Sequence, residues 1–173
     1  MFASFGDQRV DVGDAEIFLR RGGDGPPLLL LHGYPQTHAA WHKIAPELAE
    51  EYTVVAPDLR GYGDSVGPDD PETAEYTNRV MAEDMVAVMD ELGYEEYLVA
   101  GHDRGARVGY RYALDHPDRV RKLAVFDIIP TLETVEAMDY RYARGCTTGS
   151  FSPSPIPSRS DLSRTSPSST STT

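Results

Sequence analysis

Apolar positions along this chain change period repeatedly, and the changes mark out alternating strands and helices. Residues 9–12 and 15–20 alternate apolar with polar and read as two strands joined at Gly13-Asp14. After the turn cluster Gly22-Gly23-Asp24-Gly25-Pro26, residues 27–31 are continuously apolar. That is the pattern of a strand buried on both faces of a parallel sheet. Helical spacing over 37–51 puts Trp41, Ile44 and Leu48 on one face, and 52–56 reads as the next strand. A polar, Pro-rich stretch over 66–76 leads to an amphipathic helix over 77–92. Thr77 is its cap, and Val80, Met81, Met85, Val88 and Met89 face inward. A buried strand at 98–100, a helix over 105–115 closed by His116-Pro117, and a strand over 120–126 complete the series. The alternation predicts an α/β fold with a partial doubly wound, mostly parallel sheet. Ligands of such sheets bind at the carboxyl ends of the strands.

The sharpest signal lies between strand 98–100 and helix 105–115. Gly101-His102-Asp103-Arg104-Gly105 has the form Gly-x-Asp-x-Gly, the nucleophile-elbow pattern with aspartate in the serine's place. The two glycines let strand and helix pack close beside a strained central residue. A carboxylate there can displace a leaving group from a saturated carbon and hold the product as an ester, which water then hydrolyses. The competing reading is a helix N-cap aspartate. Such chemistry needs a hole for developing negative charge. In this fold the hole uses the backbone amide after the nucleophile, here Arg104, and one from the loop after the third strand, here Tyr34. Asp127, just past strand 120–126, fits the orienting acid, in the order nucleophile then acid. His32 reads as a loop-shaping residue, and Asp58, Arg60, Gly61 and Ser65 as structural.

Composition narrows the classes. At 173 residues the chain has room for one domain. A formal net charge of −12 argues against nucleic-acid and acidic-membrane partners. The lone Cys146 excludes an internal disulfide framework, and no signal peptide or membrane span is evident, so a cytoplasmic protein is expected. From Thr147 to Thr173, 20 of 27 residues are Ser, Thr or Pro. A segment so poor in apolar side chains cannot bury surface and is expected to be disordered. The expected division is therefore 1–143, a partial α/β domain, and 144–173, a tail.

Four stretches resemble one family. His32-Gly33-Tyr34-Pro35-Gln36-Thr37-His38, 57–65 (Pro-Asp-Leu-Arg-Gly-Tyr-Gly-Asp-Ser), 101–107 (Gly-His-Asp-Arg-Gly-Ala-Arg) and 126–131 (Phe-Asp-Ile-Ile-Pro-Thr) are similar to the fluoroacetate (haloacetate) dehalogenases of the α/β-hydrolase superfamily. The third is the most specific. Related epoxide hydrolases and haloalkane dehalogenases usually carry Trp after the nucleophile, whereas this sequence has Arg104 there and Arg107 three residues on. The resemblance implies Asp103 as nucleophile, Arg104 and Arg107 as binders of the substrate carboxylate, and Asp127 as triad acid. Two guanidinium groups one helical turn apart can face one anion, although surface salt bridging is their alternative. The implied reaction takes a small halogenated carboxylate and water to glycolate and halide, without metal or organic cofactor. Full-length relatives are implied to be homodimers.

The sequence also departs from the family. All five histidines precede Asp127, so none occupies the position of the family's base, and the cap domain and later strands find no match. The expectation is a chain truncated after about residue 143, its tail read from a shifted frame, its sheet left with uncovered apolar edges and its turnover of haloacetate impaired. An epoxide hydrolase and a non-catalytic binder of a small carboxylate or a protein are the alternatives.

Overall fold

A computed structural model describes residues 2, 4–68 and 75–129. The described strands and helices all fall in one compact unit, Met1–Pro130. They run β1 (Gly6–Asp11), β2 (Glu16–Gly22), β3 (Pro27–Leu31), a 3-10 turn (His38–Trp41), α1 (Ala45–Leu48), β4 (Thr53–Pro57), α2 (Asn78–Glu91), β5 (Tyr97–His102), α3 (Arg104–Asp115) and β6 (Val120–Phe126). The six strands form one sheet in the order β1-β2-β4-β3-β5-β6. β1 and β2 are an antiparallel pair, β2 lies antiparallel to β4, and the other four strands are mutually parallel.

The apolar run of β3 explains its central place. Alternate side chains leave a strand on opposite faces. Leu29 and Leu31 point to one side, packing with Val55, Val99, Met81, Met85, Val108 and Tyr112 beneath α2 and α3. Leu28 and Leu30 point to the other side, packing with Trp41, Ala45, Val54, Ala56, Phe2 and Phe5. A five-residue run with no polar member serves two cores at once. β6 is different: among the described residues it pairs only with β5, and Val125 and Phe126 stand 45% and 50% exposed. This is the uncovered apolar edge the sequence implied.

The predicted helix over 37–51 is the main departure. The segment instead forms the 3-10 turn, capped by the Thr37 side chain on the Ala39 N–H, and then the single turn α1 with Pro46 in its first positions. Proline has no N–H and clashes with the preceding turn, so it starts a helix and cannot sit inside one. Trp41 is buried, but Ile44 is exposed, so the predicted shared face does not exist. α2 meets expectation more closely: Thr77 caps it, its hydroxyl accepting from the Val80 N–H at 3.2 Å, and Met81, Met85, Val88 and Met89 are buried.

The loop after β4 is held by buried polar groups, as its structural reading requires. Asp58 accepts from the His38 backbone N–H and from the Asp64 N–H, and Ser65 Oγ donates to the Asp58 carbonyl while accepting from the Phe18 N–H. The Arg60 guanidinium forks onto buried Asp84 of α2 at 2.6 and 2.5 Å and also reaches Asp14 and the Glu75 carbonyl. This ties α2 to the carboxyl edge of the sheet. The proposed tail, 144–173, and Cys146 lie outside the described residues.

Candidate active site

Because β3, β4, β5 and β6 are parallel, the loops after them open on one edge. Tyr34 follows β3, Asp103 follows β5 and Asp127 follows β6. The elbow itself is sterically defined. Asp103 adopts φ 46° and ψ −113°, a left-handed backbone that L side chains rarely take and that costs about 1–3 kcal/mol. Its own N–H donates to the Phe126 carbonyl, and its carbonyl accepts from the Arg107 N–H, so the elbow is tied to β6 and to α3.

The flanking glycines are required by close approach. A Cβ on Gly101 would lie 2.5 Å from the Gly105 carbonyl oxygen and 2.7 Å from Ala106 Cα. A Cβ on Gly105 would lie 2.5 Å from the His32 carbonyl oxygen and closer still to that of Leu31. These neighbours are backbone atoms of the central strand β3, of the residue directly after it and of the helix start, so they have little room to shift. Gly33 has the same constraint: its Cβ would meet Asp103 Cβ at 2.7 Å and His102 Nδ1 at 2.8 Å.

The Asp103 carboxylate does not cap α3, although it precedes the helix. Its Oδ2 instead accepts the Tyr34 backbone N–H at 2.8 Å. One of the two amides expected of the hole is thus on the carboxylate. Among the described residues the Arg104 N–H makes no hydrogen bond to it. An open, polar cavity of ≈ 560 Å³ lies over Asp103 and is lined by Tyr34, Asn78, Asp103, Arg104 and Arg107. The structure therefore brings both predicted arginines and the aspartate to one space.

Arg104 and Arg107 are set apart by what they lack. Among the described residues every other arginine has an ion-pair or aromatic partner: Arg9 with Glu16, Arg20 with Asp7, Arg21 with Tyr94, Arg60 with Asp84, Arg79 and Arg111 with Asp115, Arg119 with Asp90, Arg121 with Glu96. No such contact is made by Arg104 or Arg107, in a chain of net charge −12. They also sit in the first turns of α3, where the helix dipole favours anions and opposes cations. Surface salt bridging does not account for them.

Asp127 is 84% exposed and also has a left-handed backbone, φ 59°. It faces the His102 ring, with Nε2 to Oδ2 at 3.7 Å. His102 Nδ1 lies 3.0 Å from Gln36 Oε1, which also accepts from the Gly33 N–H. This Gln36–His102–Asp127 line escaped the sequence reading, as did Asn78. Gln36 lies 66 residues from His102, and although it falls within the motif stretch 32–38, nothing in the spacing pairs it with that histidine. His32 is wholly buried: its Nδ1 lies 2.9 Å from the Gly33 carbonyl and its Nε2 accepts the Leu59 N–H at 3.0 Å. Those contacts require the neutral tautomer with the proton on Nδ1. Burial holds its pKa below the ordinary histidine value. It shapes the loop and cannot accept a further proton without losing the Leu59 bond. The other histidines are engaged elsewhere, His38 with Asp58, His42 with the Ala39 carbonyl and His116 with Glu83.

A mostly parallel sheet with a strained acidic residue on a glycine-flanked strand-to-helix turn has the geometry of the α/β-hydrolase architecture. The sequence profile of the alpha/beta hydrolase fold family matches residues 26–147, and the chain belongs to that family. It is 51% identical over 158 residues to a fluoroacetate dehalogenase of Burkholderia sp, covering 91% of this chain and 52% of the relative. It is 46% identical over 110 residues to a soluble epoxide hydrolase of Corynebacterium sp. (strain C12), covering 64% of this chain and 37% of the relative. Among solved structures, a Nostoc sp PCC 7120 protein provisionally assigned as an alpha/beta hydrolase superposes with TM-score 0.80 at 56% identity, covering 85% of this chain and 51% of that one. The chain thus spans about half the length or less of these relatives. Among the described residues no helix is long and apolar enough to cross a membrane.

Proposed function

We propose that this chain carries the nucleophile half of a hydrolytic haloacetate dehalogenase. The observation that carries the reading is the pair of guanidinium groups Arg104 and Arg107, which line one cavity with Asp103 and have no ion-pair or aromatic partner among the described residues. Two cations without partners among the described residues of an acidic chain suit a substrate that brings its own carboxylate. The neighbouring carbon of a haloacetate would then lie within reach of the aspartate.

In this reading Asp103 attacks through Oδ1, because Oδ2 is held by the Tyr34 N–H. The new bond joins Oδ1 to the CH2 carbon, and the halide departs with the electrons of the broken carbon–halogen bond. Water then adds to the Asp103 carboxyl carbon. The resulting oxyanion is Oδ2, and the Tyr34 amide is already aimed at it. Collapse releases glycolate carrying the former Oδ1, and the water oxygen stays on Asp103. That second step needs a base. The histidine nearest the nucleophile in sequence, His102, is engaged with Gln36 and faces Asp127. We therefore propose that the 173-residue chain is alkylated once and releases the ester slowly or not at all. Asp127 is the orienting acid for a base outside these residues.

Bromoacetate treatment followed by intact-mass and peptide analysis tests this. One carboxymethyl group on Asp103, absent in Asp103→Asn, is the expected result. Halide release in sustained stoichiometric excess over protein overturns the missing-base argument. Labelling of Cys146 alone overturns the nucleophile. The similarity to epoxide hydrolases makes epoxide opening the second reading. An epoxide lacks a carboxylate for Arg104 and Arg107, so labelling by an epoxide at a rate unaffected by Arg104→Gln would favour it.

A further inference from the structure

We infer that Asn78 is a specificity-determining residue of the same cavity: a neutral donor to the substrate carboxylate, placed where an acidic side chain would exclude it. The inference rests on the haloacetate reading and extends it to a residue on a different helix.

Asn78 is the first residue of α2, half-buried, and lines the cavity with Asp103, Arg104 and Arg107. Its position is fixed from both sides. The Thr77 hydroxyl accepts from the Val80 N–H just behind it, and the Arg60–Asp84 pair anchors the helix six residues further on. Among the described residues the Asn78 side chain has no hydrogen-bond partner, so its amide is available to a ligand.

The choice of residue type is informative. The first turn of a helix favours Asp or Glu through the helix dipole. This chain has 28 acidic residues against 16 basic ones, yet α2 has no acid in its first turn. The first turn of α3, which faces the same cavity, has none either and carries arginine instead. Asparagine has the shape of aspartate without its charge. The unsubstituted cavity holds one carboxylate and two guanidinium groups, a net of +1, which a monoanionic substrate brings to zero. An aspartate at 78 would cancel that charge before the substrate arrived. The Asn78 amide instead adds donor capacity beside the guanidinium groups and no charge.

The test compares the 173-residue chain with Asn78→Asp and Asn78→Ala, titrating acetate and fluoroacetate by NMR and measuring thermal stability alongside. Asn78→Ala is expected to weaken acetate about three- to tenfold, the effect of one hydrogen bond. Asn78→Asp is expected to weaken it by about tenfold or more, through an opposing charge in a partly screened site. The dipole predicts that the same Asp variant melts no lower than the parent chain. Lower affinity with undiminished stability is a combination that a purely structural asparagine does not produce. Unchanged affinity in both variants, with the parent chain binding and Arg104→Gln not, overturns the role of Asn78 alone. A fall in the stability of Asn78→Asp overturns it as well, by making the residue structural. If the parent chain binds neither acetate nor fluoroacetate, the haloacetate reading itself fails and this inference with it.

Discussion

Replacing Arg60 by leucine is the perturbation whose size the structure defines best. Arg60 and Asp84 are 2% and 3% exposed, and the guanidinium meets both carboxylate oxygens, at 2.6 and 2.5 Å. Arg60→Leu leaves the Asp84 carboxylate buried without a counter-charge. Breaking one side of such a pair costs about 3–5 kcal/mol, a large share of a total stability of about 5–15 kcal/mol. Asp14, itself 60% exposed, is simply returned to water and adds little. The double variant Arg60→Leu/Asp84→Leu removes both charges together. It is expected to regain most of the loss, because the pair's own attraction only offsets its desolvation. The pH dependence supplies a second check. Burial already pushes the Asp84 carboxyl above its ordinary value, and Arg60 pulls it back. Without Arg60 the folded-state value rises further. A carboxyl with a raised folded-state pKa binds more protons folded than unfolded, so stability falls as pH rises between the two values. Arg60→Leu should therefore recover stability on acidification from pH 7 toward about 4, by up to about 1.4 kcal/mol per pH unit. Urea unfolding followed by circular dichroism at several pH values measures all three quantities. A single-variant loss below about 1 kcal/mol, or a double variant no more stable than Arg60→Leu, refutes the assignment of this pair as the tie between α2 and the sheet edge.

Further outcomes follow from the site. Gly105→Ala puts a methyl group against the Leu31 and His32 carbonyls and should cost about 3 kcal/mol or more, read as a lowered melting temperature; a loss under 1 kcal/mol would show that the elbow is looser than described. His32 is buried neutral with a depressed pKa, so the unfolded chain binds its proton more readily and stability should decline as pH falls below about 6.5. Melting temperatures between pH 7.5 and 5 check this, and His32→Gln should flatten that part of the profile. Arg104 opposes the dipole of α3, so Arg104→Gln should raise stability by about 0.3–1 kcal/mol at low salt while abolishing acetate binding in NMR titration. An unchanged acetate affinity would remove the basis of the haloacetate reading.

The sequence alone determined those features that follow from local pattern and local sterics. The apolar run of β3 is legible because a strand covered on both faces has no polar position to spare. The elbow is legible because only glycine permits the contacts at 101 and 105, and the cap at Thr77 because one side chain and one amide make it. The same locality explains the error over 37–51, where an apolar spacing of helical period outweighed Pro46, whose ring and missing N–H break the segment into two single turns. Residue spacing could not show that Arg104 and Arg107 lack partners among the described residues, since partnership depends on every acidic side chain the fold brings near. Nor could it show that Asn78, 25 positions before Asp103, borders the same cavity. That required α2 to be laid across the sheet with its first turn at the carboxyl edge, an arrangement held by Arg60 and Asp84 from two separate elements. Contacts between distant parts of the chain carry no periodic signature, because their geometry is set by how whole elements pack and not by the residues between them.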